Sequence, residues 1–190
     1  GMKNHGSLRN EGAKIIIYDT NRGRVLSLDG VDDYMLVKDS DSLDIKDKFT
    51  LAAWINSTNE DVGIIFSKDG FNMDTTGSYN LYKNGDFLEY SIRGREKLDA
   101  VRLLTNTWYH VAVTYDAFSE PNMKMYINGK LVNSGNIGSP DINNRDLLIG
   151  RRGYAADLDR GSYFKGMLDD LKIYNRALSE SEIKTIAIIS

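Results

Sequence analysis

Residues 151–166, RRGYAADLDRGSYFKG, gather arginines, tyrosines and aspartates into one polar stretch. Aromatic faces stack on the C–H surfaces of a polyhydroxylated ligand, while guanidinium and carboxylate groups fix its hydroxyls. Arg152, Tyr154, Asp157, Asp159, Arg160 and Tyr163 are therefore candidate ligand-binding residues. The competing reading is a solvated loop whose Asp–Arg pairs contribute little. Asp169 is a second candidate. Strict alternation along MLDDLKIY puts Met167, Asp169, Leu171 and Ile173 on one side, so a carboxylate faces the core. That position is costly unless the acid is hydrogen-bonded, paired or bound to metal. Either backbone N–H groups of the LDGVDD turn satisfy it, or a structural Ca²⁺ does, held by Asp169 and oxygens near Asp29 and Gly30. In both cases Asp169 latches the last strand to an early one.

Other chemistry is poorly supplied. Cysteine is absent, which removes disulfides, thiolate metal sites and a Cys nucleophile. His5 and His110 are not at metal-ligand spacing, and no G-x-S-x-G occurs. A net charge of −3 without a basic segment argues against a nucleic-acid partner. No apolar run approaches the roughly 20 residues a membrane helix needs, so no membrane insertion is expected. The start, GMKNHGSL, has no apolar h-region of a signal peptide, and Gly1 before Met2 reads as an expression scar. Trp54 and Trp108 either form an outward stacking platform or pack as structural aromatics. Asp32, Asp33, Asp39 and Asp41 read as a polar strand margin or a second calcium site, although their spacing lacks the Gly and closing Glu of an EF-hand loop.

These side chains must be positioned by strands. Short alternating or β-branched runs such as FTLAAWINS, GIIFSKD, YNLYKNGDFLEYSI, WYHVAVTYD and MKMYINGKLV dominate residues 13–174. In WYHVAVTYD the core set is Tyr109, Val111, Val113 and Tyr115; in FTLAAWINS it is Phe49, Leu51, Ala53 and Ile55, with Trp54 opposite. Asn84-Gly85 and Asn128-Gly129 predict type I′ hairpins. LSESEI predicts one short C-terminal helix, with Ser179 and Glu182 as a capping box and Leu178 and Ile183 as a hydrophobic staple. The 190 residues fit a single domain over 13–190, after a polar segment over 1–12. A chain made of strands this size must close a barrel or pack two sheets.

LSLDGVDDYMLV, FTLAAWINS, NTWYHVAVTYD, MKMYINGKLV, LLIGRRG and FKGMLDDLKIYNRALSESEI occur in the order seen in laminin-G-like domains. Over about residues 4–187 the chain resembles these jelly-roll members of the concanavalin A-like lectin/glucanase superfamily. The resemblance implies an all-β jelly-roll sandwich of two antiparallel sheets with a short C-terminal helix. It also implies a non-catalytic module that binds an oligosaccharide or polysaccharide, secreted or on a cell surface. The paired glutamates that related glucanases carry as Glu-x-Asp-x-x-Glu are missing; EKLDAV at 96–101 is the nearest run and lacks the closing Glu. The alternative function is a structural or adhesion domain with a protein partner. The family's usual strand before Asn4–Leu8 is not in this sequence, which leaves an edge for another segment to cover.

Overall fold

In Phe49–Ile55 and Tyr109–Tyr115 every second side chain is apolar, and this is the set that faces the core between the sheets. The structure, a computed structural model, describes residues 6–9, 14–18, 22–68, 78–92, 96–152 and 162–188. The strands are β1 Gly6–Arg9, β2 Lys14–Tyr18, β3 Gly23–Asp29, β4 Tyr34–Val37, β5 Lys48–Ser57, β6 Gly63–Ser67 and β7 Asn80–Asn84. They continue with β8 Phe87–Ile92, β9 Glu96–Arg102, β10 Tyr109–Asp116, β11 Met123–Ile127, β12 Lys130–Gly135, β13 Leu147–Ile149 and β14 Lys165–Tyr174, before helix α1 at Glu180–Ile186. Among the described residues they form two antiparallel seven-stranded sheets, ordered β1-β4-β13-β6-β7-β8-β9 and β12-β11-β10-β5-β14-β3-β2. The architecture is a jelly-roll sandwich. Gly6–Arg9, expected within a polar leading segment, instead pair with Val37–Tyr34 and form the edge of the first sheet.

Leu51, Ala53, Ile55, Val111 and Val113 of the second sheet meet Leu81, Leu88 and Tyr90 of the first in one core cluster. Phe49 sits at its centre, its ring 5.2 Å from Tyr115 and 6.0 Å from both Tyr79 and Tyr90. Each such ring or leucine stabilises the fold by about 1.5–3 kcal/mol over an exposed position. Outside the core, Ala52 and Ala112 leave a shallow seat on the second sheet, where Tyr126, Leu178 and Ile183 pack. The helix starts as expected: Ser179 caps the N–H of Glu182, and Glu182 reaches back to the Ser179 N–H. Among the described residues, no helix is long and apolar enough to cross a membrane.

Of the two Asn-Gly turns, Asn128-Gly129 has positive φ at both positions, as a type I′ hairpin requires. In the other, Asn84 pairs with Phe87, so the turn residues are Gly85-Asp86, with Gly85 at φ +58° in the first position. That is the glycine placement of a type II′ turn.

One departure from alternation matters for the site. β14 pairs with β5 through Asp169↔Trp54 and then Lys172↔Ala52, which leaves two residues, Asp170 and Leu171, against the single Ala53. Asp170 takes φ +46° in this bulge, a conformation Asp tolerates better than most residues. The extra residue reverses the facing of the strand. Before it Phe164 and Leu168 point into the core; after it Leu171 and Ile173 do. Asp169 therefore lies on the outer face, and its expected inward position is corrected.

Candidate functional site

Strand directions bring several connections to one end of the sandwich. Lys165 lies opposite Asp29, Ile149 opposite Met35, and Gly63 opposite Lys83. The β3–β4 turn, the start of β6, the β7–β8 turn and both stems of the 151–163 connection thus share that end. Phe164 N–H donates to Gly150 O at 2.8 Å, closing the stems together. Of the expected ligand residues, Arg152 and Tyr163 are placed here; Tyr154, Asp157, Asp159 and Arg160 lie outside the described residues. Arg151 lies over two rings, 5.0 Å from the centre of Tyr34 and 5.5 Å from that of Tyr163. A guanidinium between two such faces is held in orientation while its edge stays available.

Arg152 is half-buried beside the outer face of the first sheet, where its charge acts on Tyr82. That face is polar for a simple reason. Leu81, Leu88, Tyr90 and Ile92 point inward, so alternation turns Asn80, Tyr82, Glu89 and Ser91 outward. Glu89 is only 5% exposed. It accepts from Asn84 Nδ2 at 3.0 Å and pairs with Lys97 at 3.5 Å. Burial, then the hydrogen bond to Glu89, pushes the Tyr82 phenol up, so it stays protonated and donates. Asn80 and Ser91 complete the floor, each 1% exposed. Acceptor carboxylate, amide, hydroxyls, ring and guanidinium converge, which is the equipment for holding hydroxyl groups. The sequence signal was present as polar residues at every second position of two consecutive strands.

The acidic turn lies at the same end of the sandwich. Asp29, Asp32 and Asp33 each offer a carboxylate oxygen, all within 4.8 Å of one another. Asp29 Oδ1 accepts from the N–H groups of Val31 at 2.8 Å and Asp32 at 3.3 Å, and Asp33 Oδ2 accepts from Asp29 N–H at 3.0 Å. Burial works against the Asp29 charge, but these backbone donors together hold its carboxyl below the usual range. Asp33 is the reverse: burial, then the charges of Asp29 and Asp32, push it up despite the Asp29 N–H. It is 1% exposed, and its Oδ1 has no hydrogen-bond partner. Gly30, at φ +79°, packs on Lys165, whose Cβ would lie 2.6 Å from any Cβ placed there.

Asp169 does not join this turn. Lys165 is the residue opposite Asp29, and Asp169 lies four residues further along β14 and on the outer face. Its partner is Arg22, at 3.4 Å. The expected set of Asp29, Gly30 and Asp169 is therefore not brought together; Asp32 and Asp33 stand where Asp169 was expected. The latch to an early segment survives with a different partner. Trp54 and Trp108 do face outward, but Arg22 lies over both rings, so they offer no open stacking platform.

A family model described as the concanavalin A-like lectin/glucanases superfamily, of laminin-G type, matches residues 29–184. No curated protein matches the chain by sequence. The fold is similar to the binding domain of Paraclostridial Mosquitocidal Protein 1, with a TM-score of 0.69 and 17% identity over 95% of this chain and 47% of that one. It is similar to the receptor binding domain of botulinum neurotoxin C/D mosaic serotype, at 0.69 and 16% over 98% and 46%. Domain 4 of AbnA, an extracellular arabinanase from Geobacillus stearothermophilus solved with arabinotriose, gives 0.69 and 21% over 96% and 87%. The chain spans about half the length of the toxin domains it matches. At these identities the likeness is one of fold.

Proposed function

We propose, from the premise that this chain belongs to the concanavalin A-like lectin/glucanases superfamily, that it is a non-catalytic module binding an oligosaccharide or polysaccharide. The observation that carries the reading is the polar outer face of the first sheet, where Glu89, Tyr82 and Arg152 meet beside the 151–163 stems. Arabinotriose in the arabinanase domain is consistent with a fold that accommodates a saccharide. Glu89 serves as a fixed hydrogen-bond acceptor, held by Asn84, Lys97 and Tyr82. A glycan array of the purified domain tests the function, and calorimetric titration of any hit tests the site. Arg152→Ala and Glu89→Gln each weaken binding by about tenfold or more, the cost of one charge-assisted hydrogen bond. An array without hits rejects the glycan reading, whereas a hit whose affinity neither variant alters rejects this face.

A structural calcium is proposed at the acidic turn, with Asp29, Asp32 and Asp33 as the donors. The orphaned, buried Asp33 Oδ1 fits such an ion. Bound there, Ca²⁺ would supply the counter-charge that three crowded carboxylates lack. Calcium at about 100 times its dissociation constant adds roughly 2.7 kcal/mol, which for a chain this size raises the thermal midpoint by about 5–10 °C. Melting in calcium against EDTA measures the difference, and Asp33→Asn abolishes it. Equal midpoints for the wild-type domain reject the metal.

A further inference from the structure

Three ring nitrogens on the outer face of the second sheet are buried without a hydrogen-bond partner: Trp54 Nε1, Trp108 Nε1 and His110 Nδ1. They belong to one group of side chains. His110, Trp54 and Asp169 stand in a row across β10, β5 and β14. The Trp54 and His110 rings are 5.5 Å apart and nearly perpendicular. Arg22, arriving from the turn before β3, places its Cζ 3.6 Å from the centre of Trp54 and 4.8 Å from that of Trp108.

The group is rich in donors and short of acceptors. An indole N–H only donates, and a guanidinium carries five donors and no acceptor. Against them stands Asp169, whose Oδ1 already accepts the N–H of Asp170 at 2.9 Å and whose Oδ2 meets Arg22 through one long contact of 3.4 Å. Lys172 adds a further positive charge, itself 3.5 Å from Asp170. Burial lowers the Arg22 affinity for its proton, and the nearby carboxylates only partly offset this. His110, 2% exposed, is held near pKa 4 by burial and by the charges of Lys172 and Arg22, so it is neutral and contributes no charge of its own at pH 7. An arginine held against two aromatic faces presents its planar edge with little freedom left to lose, which suits a bidentate acceptor.

We propose that Arg22, Trp54 and Trp108 form an oxyanion site that takes a carboxylate or sulfate group, with the two indole N–H groups and the guanidinium as donors. The site lies on the other sheet from the polar face carrying Glu89, and it stands whether or not that face binds a glycan. The acid group could come from a free anion or from an acidic sugar.

Trp54 and Trp108 are the only two tryptophans in the chain, so intrinsic tryptophan emission reports on this site alone. The domain is titrated with sodium sulfate and with sodium glucuronate against sodium chloride at constant ionic strength, with glucose as the neutral control. The expected result is a saturable change with sulfate, with glucuronate or with both, and none with glucose. Sulfate alone identifies a free-anion site, and glucuronate alone an acidic-sugar site. Arg22→Gln weakens the response by about tenfold or more. Should Arg22→Gln fail to fold, Trp108→Phe removes one N–H, keeps a smaller aromatic face and weakens the response severalfold, read through Trp54. Absence of a saturable change, an equal response to glucose, or wild-type titration in the folded variant overturns the proposal and assigns the nitrogens to ordered water.

Discussion

Replacing Lys68 with methionine lowers stability by about 2–4 kcal/mol. Lys68 follows β6 and is fully buried, yet its ammonium has all three donors employed. It donates to Asp39 Oδ1 at 2.8 Å, Asp44 Oδ1 at 3.0 Å and Asn143 O at 2.5 Å. Asn143 Nδ2 returns a bond to Lys68 O at 3.0 Å. One side chain thus ties β6 to the segment after β4 and to the connection before β13, three pieces of the first sheet's framework. Methionine keeps most of the apolar stem and removes the charge. Breaking a buried pair costs about 3–5 kcal/mol. The side chains of Asp39 and Asp44 are 27% and 19% exposed, so water recovers part of that. For a chain of this size the thermal midpoint falls by about 5–15 °C. Adding Asp39→Asn and Asp44→Asn to Lys68→Met restores part of the loss, because the stranded charges are then gone. A single variant melting within about 2 °C of wild type would show that the network contributes little.

The core was legible because its signal is local and repeated. Phe49, Leu51, Ala53 and Ile55 on β5, and Val111, Val113 and Tyr115 on β10, face inward as alternation requires. Ser179 and Glu182 were legible because a capping box is written in four consecutive residues. Asp169 was misread because alternation assumes an unbroken period of two, and the bulge at Asp170 inserts one residue. Arg22 was invisible for another reason: it is separated by 147 residues from Asp169 and reaches Trp54 from a turn. The acidic turn was half legible. Its oxygens were anticipated at Asp29 and Gly30, but the burial of Asp33 depends on packing that only the assembled sheets provide. The polar face around Glu89 was readable in principle, as Asn80 and Tyr82 on one strand oppose Ser91 and Glu89 on the next.

Gly166→Ala is expected to destabilise by about 3 kcal/mol or more, combining backbone strain with overpacking. Gly166 has φ +141°, a region an L side chain rarely adopts. A Cβ there would lie 2.1 Å from Asn56 O and 3.0 Å from the Ser57 Cα, both backbone atoms that no rotamer change can move. β14 must therefore withdraw from β5 just where Gly166 pairs with Ser57 and Thr58 N–H reaches Lys165 O at 3.0 Å. Phe164, fully buried two residues earlier, would shift with it, and it packs on Gly63. The return stem of the 151–163 connection and the Lys165 contact to Gly30 both hang on this approach. The acidic turn and the Arg151–Tyr163 contact should loosen together, so the calcium-dependent rise in midpoint shrinks as well. Gly85→Ala is the matched control: its φ is +58°, but no atom lies within 4 Å of the added Cβ. It costs only the conformational preference, about 1–2 kcal/mol. If Gly166→Ala melts no lower than Gly85→Ala, the close backbone contact is not what fixes the loop end, and the positioning of both proposed sites there would need another cause.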